Sequence, residues 1–249
     1  MFDKKIIIDF VADNKEFLEI ADKPSLASKN TPTWFKNTIA YVDGIKGVDA
    51  HSDPTSTIKK CMPVVDAMSA GYNITLPCDL WVINEGERKI KFQWAWDNLS
   101  LISEQREDQY STYPIQEGFY DIAFKFINHW IVKTPKNYSC LFTHPLHYDD
   151  LPFRCLPAIV DTDKFPIPVH FPFFLKKDFS GLIPKGTPII QIIPFKRQIF
   201  RSRYSWDKGE LLNIWKKAHN TFFDRYLKNF RTPKTYEEGE IKKSKCPFH

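Results

Sequence analysis

Glycine is scarce in this chain. Nine glycines in 249 residues fall well below the usual share of about 7%, and none belongs to a glycine-rich loop. Such a loop is what lets backbone N–H groups close around a pyrophosphate, so P-loop and ordinary dinucleotide folds are excluded. Cysteine is sparse and scattered: Cys61, Cys78, Cys140, Cys155 and Cys246 form no C-x-x-C pair. An odd number at wide spacing suggests neither a disulfide framework nor a zinc knuckle, and points to free thiols in a reducing compartment. Long apolar runs are also missing. The opening "MFDKKIIIDFVADNK" has three consecutive isoleucines before Asp9, too few for a signal-peptide core or a membrane span. The expectation is a protein that is not secreted, meets no membrane, and resides in a cytosol.

Aromatics and proline are abundant. Phe, Tyr and Trp make up 15% of residues and there are 18 prolines. Proline removes ladder donors and breaks helix interiors, so this many predicts short elements joined by stiff turns. The net charge of +5 is compatible with nucleic acid or an anionic surface and demands neither.

The pattern along the chain is mostly period-2. Strands are expected over Lys4–Val11, Trp34–Gly44, Asn73–Ile83 and Lys89–Trp96, the last two around the "NEGE" turn. Tyr120–Phe126 alternates, with Trp130–Val132 as its expected hairpin partner. "YSCLFTHP", "LPAIVDTD", "VHFPFFL" and "GTPIIQIIPF" add four more, and "KRQIFRSRY" reads as an edge strand. Pro63 and Gly71 bracket a short helix over Pro63–Ala70. Gly209–Phe230 carries the clearest helical stripe, with Leu211, Trp215, Ala218, Phe222 and Tyr226 at three- and four-residue steps. After Pro233 comes a polar tail, read as an arm ordered by docking. The fold class expected is mainly β: one barrel or sandwich domain over 1–208, β-clip or jelly-roll-like, an amphipathic helix over 209–231 packed on it, and a tail over 232–249.

The most chemically loaded stretch is "THPLHYDDLPFRCLPAIVDTDKF", Thr143–Phe165. Its first half offers His144, His147 and Asp149 as ligands for a divalent metal. His147-Tyr148-Asp149 is the His-x-Asp pattern of 2-oxoglutarate-dependent iron oxygenases, where a strand end aims alternate residues at one ion. A third histidine well downstream is wanted, and the chain offers only His170, His219 and His249. The alternative is a strand-end loop in which Asp residues cap turns and His residues pack under aromatics.

The second half resembles the third motif of trimeric dUTPases, an apolar-Asp-x-Asp-aromatic segment followed by Gly-x-x-Ile-x-Gln. Here these are Val160-Asp161-Thr162-Asp163 with Phe165, then Gly186 to Gln191, while "SAGYNI" is similar to the family's first motif. The resemblance implies a β-clip barrel over roughly 69–195, with Asp161 activating water, Asp163 beside it, and Gln191 among the nucleotide-binding residues. Asn73 stands where that family has the aspartate that binds magnesium through water, and no Arg-Ser-Gly phosphate grip precedes Asp161. A broader resemblance runs through "TPTWFK", "IKKCMPVVDAMSAGYNITLPCDLWV" and "IPKGTPIIQIIPFKR". It is to a family of similar length found in marine tailed phages and some bacteria, and it carries no activity with it.

Two further patches present themselves. Arg197, Arg201 and Arg203 share one period-2 face and could track phosphates, or serve as charges on a solvated edge strand. Trp81, Phe92, Trp94 and Trp96 could stack bases, though paired aromatic strands are more often core. Cys61, after Lys59 and Lys60, matches no protease motif. The functional expectation is a binding or assembly module of viral or phage type, acting through self-association or another protein. The alternatives are a nucleotide or nucleic-acid binder and a metal enzyme.

Overall fold

Alternation that exposes Asp121 and buries Tyr120, Ile122, Phe124 and Phe126 makes "FYDIAFKF" a central strand, and the same rule builds most of the molecule. The computed structural model describes residues 5–47, 55–96, 98–219 and 226–239. In chain order the elements are β1 (Asp9–Ala12), α1 (Lys15–Ile20), β2 (Ser25–Leu26), α2 (Thr33–Asn37), α3 (Met62–Ser69) and β3 (Tyr72–Thr75). Next come β4 (Leu80–Asn84), β5 (Ile90–Trp94), β6 (Ile102–Glu104), β7 (Phe119–Phe126), β8 (Trp130–Lys133) and β9 (Tyr138–Thr143). The series closes with β10 (Phe153–Cys155), β11 (Ala158–Val160), β12 (Phe171–Lys176), β13 (Gly181–Ile183), β14 (Pro188–Lys196) and α4 (Glu210–His219).

All strand pairs are antiparallel. The sheets are β11-β9-β14-β3-β2, β10-β12-β7-β6, β13-β4-β5 and β1-β8. Each keeps two edges, so the barrel alternative gives way to a sandwich of packed sheets. Phe142 of the five-stranded sheet lies 5.9 Å from Phe171 of the four-stranded one. Phe126 and Phe173 stack at 4.1 Å inside the latter, and Phe92 brings the three-stranded sheet onto Phe124 at 4.8 Å. The buried thiol of Cys155 donates to the Ile189 carbonyl and ties β10 to β14. No helix among the described residues is long and apolar enough to cross a membrane.

The mainly β fold class, the Pro63–Ala70 helix and the "NEGE" turn are all present. Four local expectations need correction. Trp34–Gly44 is not a strand: Pro32 presets the entry to α2, and a 3₁₀ turn follows over Val42–Gly44. Asn73–Ile83 breaks into β3 and β4, because Pro77 cannot extend the ladder. β8 does not pair with β7. The Asn128 amide bridges both backbone groups of Trp130 and turns the chain towards β1. Residues 197–208 form no strand at all. Of the expected Gly209–Phe230 helix, α4 and a π-helical turn over Tyr226–Phe230 are described. Phe222 lies outside the described residues.

Candidate functional site

The loop after β9 is held by its own backbone. Tyr148 N–H donates to Pro145 O, and Leu151 N–H to Tyr148 O. His144 packs its ring edge-on against Phe153. Its Nδ1 accepts from Cys155 N–H at 3.3 Å, so Nε2 carries the proton and faces Tyr148 O at 3.1 Å. Both ring nitrogens are therefore engaged by the backbone, and burial lowers the imidazole pKa. His147 sits in the left-handed region at φ 65°, and its carbonyl accepts from Trp34 Nε1 at 2.8 Å. Asp149 is exposed and faces Arg154 at 3.5 Å. His144, His147 and Asp149 share a loop without forming a ligand set. Among the described residues no group of three or more His, Cys, Asp or Glu side chains is placed to hold a metal ion.

Asp161, Asp163 and Arg197 converge, although the sequence suggests different roles for them. Arg197 forks onto both oxygens of Asp163, at 2.9 and 2.5 Å, and reaches Asp161 at 3.0 Å. Ser139 Oγ donates to Asp161 at 2.7 Å and Asn137 N–H to Asp163 at 2.8 Å. The Arg197 fork, with Asn137 behind it, draws the Asp163 pKa down to about 2. Ser139, then Arg197, lower that of Asp161. Between the two aspartates, Thr162 is buried on Thr134 and Cys140. An arginine already gripped by two carboxylates has little left for a phosphate, and a carboxyl held this low is a weak proton acceptor. The cluster acts as a clamp that pins the start of the chain beyond β14 to the turn after β11.

Gln191 is 1% exposed. Its Oε1 accepts from Leu146 N–H, and its Nε2 donates to Ala67 O and Ala70 O. It joins β14, the end of α3 and the His144 loop, and offers no atom to solvent. Asn73, opposite Gln191 in the ladder, buries an Oδ1 that has no partner among the described residues. Of the aromatic set, Phe92 packs on Phe124 and Phe173, and Trp94 donates to the carbonyls of Trp96 and Leu99. Trp81 alone of the set is exposed. Cys61 is exposed, but Lys59 is engaged with the carbonyls of Lys36 and Thr38, and Lys60 lies over Tyr41.

Arg201 and Arg203 leave this frame. They lie in an arm that begins just after the Arg197 clamp and is described over residues 198–219 and 226–230. Ile199, Phe200, Tyr204 and Trp206 are 95, 84, 92 and 88% exposed. Leu211, Leu212, Ile214, Tyr226, Leu227 and Phe230 further along are exposed too. In the sequence Phe200, Tyr204 and Trp206 alternate with Ile199, Arg201 and Arg203. Asp207 caps α4 by accepting from Leu211 and Leu212 N–H.

The arm ends at a second clamp. Arg231 donates to Asp66 of α3 at 2.7, 3.0 and 3.3 Å, and Lys234 adds a fourth contact at 3.0 Å. Asp66 is buried, and the Arg231 hydrogen bond leads the lowering of its pKa. From there residues 231–239 run as a strap over β2 and β3. Tyr236 meets Tyr72 edge-on at 5.9 Å, and Tyr72 donates to Glu237 O. Glu238 takes Leu26 N–H and Lys29, covering the β2 edge. A cavity of about 210 Å³ lies under the strap between Ser28, Ser69, Lys234 and Tyr236. A docked tail is what the polar sequence after Pro233 leads one to expect. Its anchor Asp66 has no signal in the sequence, because nothing local sets this carboxylate apart from other helix-surface acids. The arm's aromatic alternation is visible in the sequence, where it reads as an edge strand.

The chain matches no known protein-family model, and no curated protein resembles it significantly.

Proposed function

We propose that this protein is an assembly module without catalytic chemistry of its own, and that the 198–230 arm associates with another copy. The observation that carries the reading is the uncovered apolar surface between the two arginine clamps. Three aromatics that each bury ~150–250 Å² represent roughly 450–750 Å² on the first part of the arm alone. A standard interface takes about 800 Å² from each partner. Exposed patches of this size mark interaction sites rather than ordinary surface. The engaged state of His144, Gln191, Asp163 and Arg197 supports a scaffold more than a reaction centre.

Sedimentation equilibrium tests this reading. The full chain should run as an oligomer, and Phe200→Ser/Tyr204→Ser/Trp206→Ser as a monomer with an unchanged melting temperature. A wild-type chain that stays monomeric at high concentration removes the reading. A second reading has one observation in its favour: Arg201 and Arg203 interleave with exposed aromatics, the pairing that grips single-stranded nucleic acid. Salt-sensitive binding of a single-stranded oligonucleotide, lost in Arg201→Ala/Arg203→Ala, would favour it over self-assembly.

A further inference from the structure

We infer that the strap, residues 231–239, is exchanged between two copies of this chain, each body holding its partner's strap at Asp66, Tyr72 and the β2 edge. The inference rests on the assembly reading and specifies how the copies join.

The strap's contacts are those of a docked ligand. A buried carboxylate receives a forked arginine and a lysine, one tyrosine ring meets another, and Glu238 satisfies Leu26 N–H and Lys29. Nothing in that set depends on which copy supplies residues 231–239. The arm connects to the body differently. Among the described residues, the hydrogen bonds of segment 198–230 stay within the segment or reach the first strap residue, as in Leu211 and Leu212 to Asp207 and Arg231 N–H to Tyr226 O. Anchored clamps at Arg197 and Arg231 thus bracket a linker whose described residues make no hydrogen bond to the body.

A linker of this length also has reach. Its first part, residues 198–208, can span at most ~3.3–3.6 Å per residue, enough to cross to a neighbouring molecule. Exchange gives the arm the cover it lacks. In a two-fold pair the same patch on each chain meets its symmetry mate, so Phe200, Tyr204, Trp206 and Leu211 of the two arms face one another near the axis. In the unexchanged chain the same side chains face water. Exchange keeps every strap contact and adds this burial, which is the energetic case for the open form.

Complementary charge reversal distinguishes the two arrangements. One chain carries Asp66→Lys. The other carries Arg231→Glu with Lys234→Glu. Alone, each opposes like charges at the latch wherever its strap docks, and its association should weaken on the order of a hundredfold. Mixed in equal amounts, the exchanged pair sets the introduced lysine against the two introduced glutamates at one latch and keeps the native pairing at the other. Recovery of the wild-type mass on mixing is the expected result. Failure of the mixture to recover, while one chain carrying all three changes does, places the strap on its own body and overturns exchange without touching the assembly reading. A monomeric wild-type chain overturns both. Should a charge variant not fold, chains with Asp66→Cys are mixed with chains bearing Arg231→Cys, both carrying Cys61→Ser and Cys246→Ser. A disulfide between chains supports exchange, and its absence overturns it.

Discussion

A β-carbon on Gly71 would lie 2.0 Å from the carbonyl oxygen of Ile192. Gly71 also adopts φ +71°, and its own carbonyl accepts from Ala27 N–H. The turn from α3 into β3 is thus pressed directly onto β14, and only a residue without a side chain permits it. Gly71→Ala should cost about 4 kcal/mol or more, or abolish folding, as judged by thermal melts. Gly86→Ala provides the control. It shares a positive φ but meets nothing within 4 Å, so about 1 kcal/mol of backbone strain is expected there.

Gln191→Leu keeps the shape of the side chain and removes three hydrogen bonds to buried or half-buried backbone. The orphaned Leu146 N–H and Ala70 carbonyl, with the Ala67 carbonyl left to the long Ala70 N–H bond alone, should together cost about 3 kcal/mol in urea unfolding. If Gln191 instead serves a ligand, stability should hold and binding should fall.

The Arg197–Asp163 clamp makes stability depend on acid. A carboxyl whose folded pKa is depressed contributes stability above its unfolded value, near about 3.9. That contribution fades as pH falls towards the folded value, which is about 2 for Asp163. The melting temperature of the wild type should drop over that window. Asp163→Asn should start lower at neutral pH and show a shallower acid slope. Parallel slopes for the two proteins would remove the clamp.

His144 titrates in the other familiar window. Its folded pKa is lowered chiefly by burial, so the unfolded chain takes up the proton first. Stability should be full above about 6.5 and decline as pH falls below it towards the folded value. His144→Gln should flatten that part of the profile.

His147 occupies a left-handed position at φ 65° and is tied to Trp34 through its carbonyl, not its ring. His147→Gly should therefore stabilise the loop by about 0.5–1 kcal/mol. Metal content measured by elemental mass spectrometry should be the same in wild type and variant. About one equivalent of iron, zinc or manganese, lost in the variant, would restore the metal reading.

Period-2 alternation is enough to announce most of the strands, because burying one face of a pleated strand leaves its mark on every second residue, as in Tyr120 to Phe126. Pro63 and Gly71 likewise bound α3 by local backbone chemistry alone. Short-range signals say nothing about partners. Trp130–Val132 follows β7 closely, yet it pairs with β1 from the far end of the chain. The sites divide the same way. Which residues could carry charge or bind a metal is legible as composition. Whether they are free to do so is settled by contacts distant in sequence. Arg197 meets Asp163, Gln191 meets Leu146, and Arg231 meets Asp66 across 165 positions. The sequence by itself determined a β-rich, glycine-poor chain with a tail suited to docking, since those properties follow from residue type and local spacing. Only the tertiary structure decided that the loaded loop is tied to Trp34 and Gln191 and that the exposed aromatics stand between two clamps, since both depend on which distant groups fold against each other.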